Sequence, residues 1–152
     1  MSCKISVCIP AYNRPELLPP LLDSVLSQNY TDFEIVVCED NSPKRQEISE
    51  IVGAYSKKRP GIIFYHENAV NLGYDGNIRN LIEKASGEYC FFMGNDDLMC
   101  PDALVTVASA VSRHGNIGVV LRTYASFDES PENINQVFRY FQNETFFSAG
   151  PD

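Results

Sequence analysis

The clearest signal in the chain is a repeated spacing of apolar residues. Four segments carry apolar side chains at positions i, i+3, i+4 and i+7, which places them along one face of a helix. The four sets are Leu18/Leu21/Leu22/Val25, Ile48/Ile51/Val52/Tyr55, Ile78/Leu81/Ile82/Ala85 and Leu104/Val107/Ala108/Val111. Each set predicts one helix. The Pro19-Pro20 pair predicts that the first helix starts late or is kinked, because proline lacks the amide hydrogen that a helix interior needs.

Short runs rich in β-branched and aromatic residues lie before, between and after these helices. The runs are Ile5 to Ile9, Ile35 to Cys38, Ile62 to Tyr65, Tyr89 to Met93 and Ile117 to Leu121. Continuous apolar runs of this length are typical of strands that are covered on both faces. The resulting order, β-α-β-α-β-α-β-α-β, predicts an α/β fold with a mostly parallel sheet and helices on both faces.

The pattern weakens after Leu121. A polar stretch from Asp128 to Asn133 is followed by an aromatic-rich tail from Val137 to Phe147. We therefore expect an α/β domain over residues 1–121 and the start of a second region over residues 122–152. Because the tail has much apolar surface and little of this chain left to bury it, we expect the chain to be a truncated piece of a longer protein.

Composition and charge narrow the function classes. At 152 residues, 44% of them hydrophobic, the chain can bury one core without a disulfide or a metal. The formal net charge of -8 disfavours nucleic-acid binding, which needs clustered Lys and Arg, and it disfavours adsorption to anionic lipid for the same reason. An acidic protein can still bind a diphosphate when a metal ion supplies the local positive charge.

The cysteines and the amino terminus favour a cytoplasmic location. The five cysteines form no C-x-x-C pair and mostly lie in apolar runs, where we interpret them as small core residues in a reducing compartment. The first strand-like run begins at Ile5, which leaves no room for a signal peptide, and no apolar run is long enough to span a membrane. We expect a soluble, cytoplasmic chain.

Two adjacent acids, Asp96 and Asp97, follow the fourth strand-like run. Ligands bind at the carboxyl ends of strands in open α/β sheets, and Mg²⁺ typically uses one or two protein carboxylates besides water and substrate phosphate. The alternative is that the acids cap the next helix, which is the better explanation of an isolated pair. Asp102, beside Pro101, is a better placed cap than Asp96.

The loop after the first run holds four candidates for ligand binding. Tyr12 offers a ring on which a base can stack, with core packing as the alternative. Pro10 stiffens the loop, which continues through Asn13 and Arg14.

Three more candidates lie on later loops. Asp40, after the second run, can accept a hydrogen bond from a base N–H or a ribose hydroxyl, or it can be an ordinary turn residue. Arg79 can reach back to phosphate or base, although a solvated helix arginine is the usual alternative. Gly73 permits tight backbone geometry.

Taken together, these segments resemble the family 2 glycosyltransferases of the GT-A fold, a Rossmann-like form of the predicted sheet. The resemblance runs from about Lys4 to Val111. Its carriers are Val7 to Asn13, Phe33 to Ser42, Asn71-Leu72-Gly73 with Arg79-Asn80, and Gly87-Glu88-Tyr89 running to Asp96-Asp97 and Pro101-Asp102. Four ordered motifs at compatible spacing are specific, whereas any one alone is not.

The resemblance implies roles for these residues. Pro10, Tyr12 and Asp40 contact the nucleotide base, and Arg79 lies nearby. The paired acids form a D-x-D-type element, in which Asp97 is the metal ligand and Asp96 the ribose contact, with Asp96 as a second candidate ligand of Mn²⁺ or Mg²⁺. Many relatives carry a further aspartate where this chain has Gly94, so we expect a metal site that is assembled jointly with the nucleotide.

The resemblance also implies a catalytic base that we do not find. Inverting members take this carboxylate from the second half of the domain, and we expect it to be absent from this chain. Asp128, Glu129 and Glu132 lie in the corresponding half, but no motif selects any of them.

The implied function is metal-assisted transfer of a sugar, with inversion, from a UDP-, dTDP- or CDP-linked donor to a hydroxyl of a glycan or glycolipid. Bacterial polysaccharide or lipopolysaccharide synthesis is the implied setting, with peripheral membrane association of the full-length protein. The alternative is a receiver-like, Mg²⁺-binding signalling module, which needs acids after the first strand and a late lysine. A dinucleotide-binding oxidoreductase would need a G-x-G-x-x-G motif after the first strand.

Overall fold

The computed structural model describes residues 3–115, 117–128 and 130–147. The chain divides into two compact units, Met1–Ser112 and Arg113–Asp152. The first unit contains a four-stranded sheet and the second a two-stranded one. The candidate binding residues all lie in the first unit.

Four parallel strands form the sheet of the first unit, in the order β3-β2-β1-β4. Their bounds are Ile5–Ala11 (β1), Phe33–Glu39 (β2), Ile63–Glu67 (β3) and Tyr89–Phe92 (β4). The helices are Leu18–Leu26 (α1), Arg45–Lys58 (α2), Gly73–Lys84 (α3) and Ala103–His114 (α4). This alternation confirms the predicted α/β class and the mostly parallel sheet. Among the described strands β4 pairs only with β1, so its outer edge is unpaired.

The central strands are buried on both faces, as their continuous apolar sequence predicts. Cys8 and Cys38 pack with Leu81 of α3 on one face. Val7 and Ile35, which lie an odd number of positions from Cys8 and Cys38 along the same strands, are equally inaccessible to solvent. Successive side chains of a strand point to opposite faces, so the other face is covered as well. All five cysteines are free thiols, and Cys3, Cys8 and Cys38 are buried as predicted.

The first helix begins in the way its prolines predict. A short 3-10 turn, Pro15–Leu17, precedes α1, which starts at Leu18. Pro19 and Pro20 therefore occupy the first turn, where an amide hydrogen has no partner inside the helix. The four residues of the apolar stripe are buried, namely Leu18, Leu21, Leu22 and Val25. Among the described residues no helix is long and apolar enough to cross a membrane.

The predicted fifth strand, Ile117 to Leu121, is wrong. These residues form no strand, and Val119 and Leu121 are largely exposed. The next strand is instead Tyr124–Phe127 (β5), which pairs antiparallel with Ile134–Phe138 (β6) in the second unit. A β-branched run becomes a strand only when another strand pairs with it and a layer covers it. The described part of the chain supplies neither for this run.

Aromatic contacts organise the second unit. Tyr124 of β5 stacks on Phe138 of β6 with ring centroids 4.6 Å apart, and Phe146 stacks on His114 at 4.8 Å. Arg113 forms an ion pair with Glu144 at 2.7 Å. Several aromatic side chains remain exposed, namely Tyr140, Phe141, Phe146 and Phe147. The tail therefore carries the unburied apolar surface that its sequence predicts.

A buried carboxylate, Glu34, lies near the amino end of the sheet. Its oxygens accept hydrogen bonds from Ser6 Oγ at 2.7 Å and from both the N–H and Oγ of Ser86 at 2.6 Å, and Lys4 Nζ lies 2.8 Å away. Burial disfavours the charged form, but the bonds from Lys4, Ser86 and Ser6 outweigh it and lower the pKa of Glu34 to about 2. This stabilisation is present above the ordinary pKa of 4.5 and is lost as the pH falls towards 2.

Replacing Glu34 with Gln is expected to flatten the acid limb of the stability curve. The carboxylate contributes on the order of 3 kcal/mol at neutral pH, from about 1.4 kcal/mol per pKa unit. Urea denaturation at pH 7 and pH 3 measures this, and the parent should lose more stability between the two than Glu34→Gln does. Glu88→Gln, at an exposed glutamate nearby, should behave like the parent. Parallel curves for the parent and Glu34→Gln would contradict the assignment.

Candidate functional site

The parallel strands bring three loops to the carboxyl edge of the sheet. The loops follow β1, β2 and β4, which are adjacent in the order β2-β1-β4. The Asp40 N–H donates to the Ala11 carbonyl at 3.1 Å, and the Met93 N–H donates to the Cys8 carbonyl at 3.0 Å. Residues that are far apart in sequence, Tyr12, Asp40 and the Asp96-Asp97 pair, therefore lie on loops of neighbouring strands.

Gly94 allows the two adjacent acids to approach one point. The Gly94 N–H donates to Asp97 Oδ2 at 3.1 Å, and the Asp97 N–H donates back to the Gly94 carbonyl at 3.2 Å. A β-carbon on Gly94 would lie 2.8 Å from Asp97 Oδ2 and 3.0 Å from Asp96 Oδ1. Neither acid can cap α4, which begins at Ala103 directly after Asp102. The helix-cap alternative for Asp96 and Asp97 is therefore wrong.

The electrostatics of this loop distinguish the two acids. Burial raises the pKa of Asp97, the hydrogen bond from Gly94 opposes this, and the neighbouring charge of Asp96 raises it further. Asp96 forms an ion pair with Arg14, and the two side chains are 48% and 53% exposed. Arg14 follows Asn13, whose φ of 57° turns the chain in a way that asparagine tolerates. Two predicted site residues, Arg14 and Asp96, are thus in direct contact.

Asp40 is nearly buried, with 4% of its surface exposed. Its Oδ1 accepts hydrogen bonds from the Leu72 N–H and from Asn68 Nδ2, both at 2.8 Å. Leu72 immediately precedes Gly73, whose φ of 71° is easy for glycine at the start of α3. The bond to Leu72 therefore brings Asp40 next to Gly73, another predicted site residue.

A residue that sequence analysis missed, Glu39, holds the Asp40 loop. It is completely buried. Its carboxylate accepts from the Asn41 N–H at 3.0 Å, the Ser42 N–H at 2.7 Å and Arg45 Nε at 2.6 Å. The sequence does contain a signal for Glu39, because this carboxylate ends an apolar run and Arg45 follows six residues later. Glu39 lies inside the motif from Phe33 to Ser42, in which the family resemblance implies a role for Asp40 alone.

The remaining predicted residues lie at different depths. Pro10 is inside β1, opposite Cys38 of β2. Tyr12 is 43% exposed, so its ring is not a core residue and is free to contact a ligand. Arg79 is exposed on α3 and lines a cavity of about 480 Å³ between α3 and the end of β3. The walls of that cavity contain no other predicted site residue.

The two acids provide a small donor set for a metal. Within residues 3–115, 117–128 and 130–147, no group of three or more His, Cys, Asp or Glu side chains is arranged to hold one. The convergence of one oxygen from each acid above Gly94 fits an ion that takes its other ligands from water and a diphosphate. This donor set does not fit an all-protein metal cage.

Two solved structures share the fold of this chain. TarS of S. aureus is 30% identical with a TM-score of 0.65, and the alignment covers 73% of this chain and 20% of that one. The mannosyltransferase PcManGT of Pyrobaculum calidifontis, solved with GDP-Man and Mn²⁺, is 22% identical with a TM-score of 0.66, covering 76% and 33%. At that identity the second likeness shows the fold alone. The expected GT-A fold is confirmed.

Two bacterial relatives are similar in sequence. Abequosyltransferase RfbV of Salmonella typhimurium is 32% identical over 113 residues, which cover 74% of this chain and 34% of that protein. The GalNAc(5)-diNAcBac-PP-undecaprenol beta-1,3-glucosyltransferase of Campylobacter jejuni is 33% identical over 104 residues, covering 68% and 33%.

The chain thus spans about a third of the length of these curated relatives. A receiver-like signalling module finds no support among the relatives. The model of Glycosyl transferase family 2 matches residues 6–151, which is nearly the whole chain. This chain belongs to glycosyl transferase family 2.

Proposed function

We propose that this chain is the donor-binding part of a glycosyltransferase that uses a nucleoside-diphosphate sugar. The observation that carries the proposal is the grouping of Tyr12, Asp40 and the Asp96-Asp97 pair on loops of adjacent strands, with Arg14 on Asp96. Tyr12 offers a ring for a planar base, and Asp40 offers a buried hydrogen-bond acceptor for a base or ribose. The two adjacent carboxylates and the Arg14 guanidinium can together bind a diphosphate with its metal ion. The names of the bacterial relatives support the same activity.

The roles divide between the nucleoside and the diphosphate. Tyr12 stacks on the base, Asp40 accepts a hydrogen bond from it, and Pro10 shapes the loop that carries the ring. Asp97 holds the Mn²⁺ or Mg²⁺ ion, and Asp96 contacts the ribose or serves as a second ligand.

Three further residues complete the proposed donor site. The turns at Asn13 and Gly73 set the backbone beside the nucleotide. Arg79 is exposed on α3, and we assign it to the border of the site. These roles rest on position rather than on contacts with the other candidate residues.

The chemistry to which this site would contribute is displacement of a nucleoside diphosphate by an acceptor hydroxyl, with inversion. A bound divalent cation offsets the negative charge that develops on the departing diphosphate. The chain binds and orients the donor, while deprotonation of the acceptor requires a general base. Asp128 and Glu132 lie in the second unit and Glu129 lies outside the described residues, and we assign the base to none of them. Binding is therefore the activity to measure in this chain.

The biological setting in this proposal follows the relatives. The donor is UDP-, dTDP- or CDP-linked, and the acceptor is a glycan or glycolipid of bacterial polysaccharide or lipopolysaccharide synthesis. The protein works in the cytoplasm, and the full-length form associates peripherally with the membrane. Residues 1–121 form the donor-binding region in this proposal, and residues 122–152 begin the acceptor side.

Calorimetric titration tests the proposed function. UDP, dTDP, CDP and GDP are titrated into the chain, once with Mn²⁺ and once with EDTA; GDP is included because PcManGT was solved with GDP-Man. We expect one nucleotide to bind at least about tenfold more tightly with Mn²⁺, since the cation screens two carboxylates from the diphosphate. No binding of any of the four would contradict the proposal.

Arg14→Gln is expected to change two affinities in opposite directions. Nucleoside diphosphate binding with Mn²⁺ should weaken by about tenfold or more, because a charged hydrogen bond to phosphate is lost. Binding of Mn²⁺ alone should strengthen by up to about fivefold, because Arg14 no longer competes for Asp96 and an exposed ion pair is worth up to about 1 kcal/mol. Calorimetry with Mn²⁺ alone and with nucleotide plus Mn²⁺ measures both.

The matched control for Arg14→Gln is Arg59→Gln. Arg59 is an exposed arginine directly after α2, away from the three loops. It should change neither affinity. If Arg14→Gln lowers both affinities together, Arg14 does not compete with the metal for Asp96.

A further inference from the structure

Three asparagines, Asn68, Asn77 and Asn80, form a hydrogen-bonded group between the end of β3 and α3, called the asparagine cluster below. Asn68 and Asn77 are buried. Buried amides destabilise a fold unless their donors and acceptors are bonded, so the bonding pattern shows what such a group holds in place. The proposed donor-binding roles do not use these three residues.

The backbone of Asn68 is fixed to the end of β2. Its N–H donates to the Glu39 carbonyl at 2.8 Å, and its own carbonyl accepts a hydrogen bond from the Arg45 guanidinium. Arg45 also binds the buried Glu39 carboxylate. Asn68 is therefore held by the same groups that hold the Asp40 loop.

The side chain of Asn68 is bonded at both ends. Its Nδ2 donates to Asp40 Oδ1 at 2.8 Å and to Asn77 Oδ1 at 3.0 Å, and its Oδ1 accepts from Asn80 Nδ2 at 2.5 Å. If the amide turned round, its oxygen would face the oxygens of Asp40 and Asn77, and its NH₂ group would face the Asn80 donor. The bond from Asn80 thus fixes Nδ2 towards Asp40.

These bonds determine which oxygen of Asp40 is available to a ligand. Both Oδ1 contacts, from Asn68 Nδ2 and the Leu72 N–H, are 2.8 Å long. Two donors occupy the acceptor capacity of one carboxylate oxygen. The orientation of the carboxylate is therefore set, and Oδ2 is the oxygen left to accept a hydrogen bond from a ligand.

We propose that Asn68 is a positioning residue for the donor site: it occupies Oδ1 of Asp40 and so presents Oδ2 to a nucleoside N–H or ribose hydroxyl. The inference rests on the proposed donor-binding function and deepens it. Asn80 contributes from α3, because its bond to Asn68 Oδ1 fixes the amide whose donor faces Asp40. Asn68 touches no substrate in this scheme. It acts through Asp40, and discrimination between nucleosides depends on it.

The test measures discrimination rather than affinity alone. The probes are UDP, CDP and GDP, each beside its 2′-deoxy analogue, together with N3-methyl-UDP and N1-methyl-GDP, titrated with Mn²⁺ present. In the parent, removing the group that Asp40 Oδ2 binds should weaken binding by about tenfold, the effect of one hydrogen bond to a charged group. In Asn68→Ala this ratio should fall to about threefold or less, because only the Leu72 N–H then restrains the carboxylate.

Two other variants separate positioning from folding. Asn68→Asp keeps the size of the side chain but replaces the donor with an acceptor, so it should also lose discrimination even if Asn68→Ala does not fold. Asn77→Ala removes the bond to Asn68 and the bond from Asn77 Nδ2 to the Cys38 carbonyl, at a helical position that alanine favours, and it leaves both contacts to Asp40 Oδ1 in place. It should keep the parent ratio. Thermal melting shows which variants are folded.

The outcomes distinguish the two proposals. If no nucleoside diphosphate binds the parent, the proposed function fails and this inference fails with it. If the parent binds but no analogue is weakened, or if folded Asn68 variants keep the parent ratio, only the role of Asn68 is overturned. An equal loss of affinity for every probe in the Asn68 variants, with the ratio unchanged, would show a purely structural role.

Discussion

Asp97→Asn is expected to abolish the Mn²⁺-dependent part of nucleoside diphosphate binding. The site has two carboxylates, and an amide is a poor substitute for the one that carries the metal. We expect a loss of about 100-fold with Mn²⁺, which corresponds to about 2.7 kcal/mol. Asparagine keeps the shape of the side chain and an oxygen that can accept the Gly94 N–H, so the loop should stay folded. Calorimetry with EDTA should give the same weak affinity for parent and variant.

The matched control is Asp102→Asn, five positions along the same segment. Asp102 has a φ of 58°, which asparagine also adopts, and its carboxylate accepts a hydrogen bond from Asn29 at 2.8 Å. This variant should bind nucleotide and metal like the parent. Equal losses in both variants would point to a general effect of negative charge, and no loss in Asp97→Asn would remove Asp97 from the metal site.

Arg45→Ala is expected to lower the free energy of unfolding by about 3 to 5 kcal/mol, because it leaves the buried Glu39 carboxylate without its ion-pair partner. Glu39 keeps its bonds to the backbone N–H groups of Asn41 and Ser42, but these do not carry a compensating charge. The variant also removes the donor to the Asn68 carbonyl. Urea denaturation at pH 7 measures the change.

Lys44→Ala is the control for this second experiment. Lys44 is the preceding residue, also cationic, and its contact with Glu16 is an exposed one at 3.7 Å. Its removal should change stability by no more than about 0.5 kcal/mol. If Arg45→Ala costs less than about 1 kcal/mol, the backbone donors alone stabilise Glu39 and the ion pair is not needed.

Much of the fold could be predicted because the apolar stripe of each helix is encoded by residues within a few turns of one another. The stripe at Leu18, Leu21, Leu22 and Val25 is buried as its spacing indicates. The error at Ile117 to Leu121 has a physical cause. β-propensity describes how well a side chain fits a covered sheet, and whether a sheet is there to join is decided by distant residues.

The loops that carry the candidate site residues could be predicted, but the contacts between these residues could not. Order and spacing singled out Asp40, Asp96 and Asp97, because parallel strands bring their carboxyl ends to one edge. The pairing of Arg14 with Asp96 joins positions 82 residues apart, and no local pattern encodes it. The proposed positioning role of Asn68 could not be predicted either, since an asparagine between a strand and a helix usually indicates only a turn.

Among the described strands only β1 pairs with β4, and the other edge of β4 has a consequence for the behaviour of the chain in solution. A free strand edge presents backbone N–H and C=O groups to which a strand of another molecule can add. Here the edge belongs to the short strand Tyr89–Phe92, and Phe92 is 45% exposed beside it. The high net negative charge opposes such self-association, and its screening by salt removes part of that protection. We therefore expect self-association through this edge, if it occurs, to increase with protein concentration and with ionic strength.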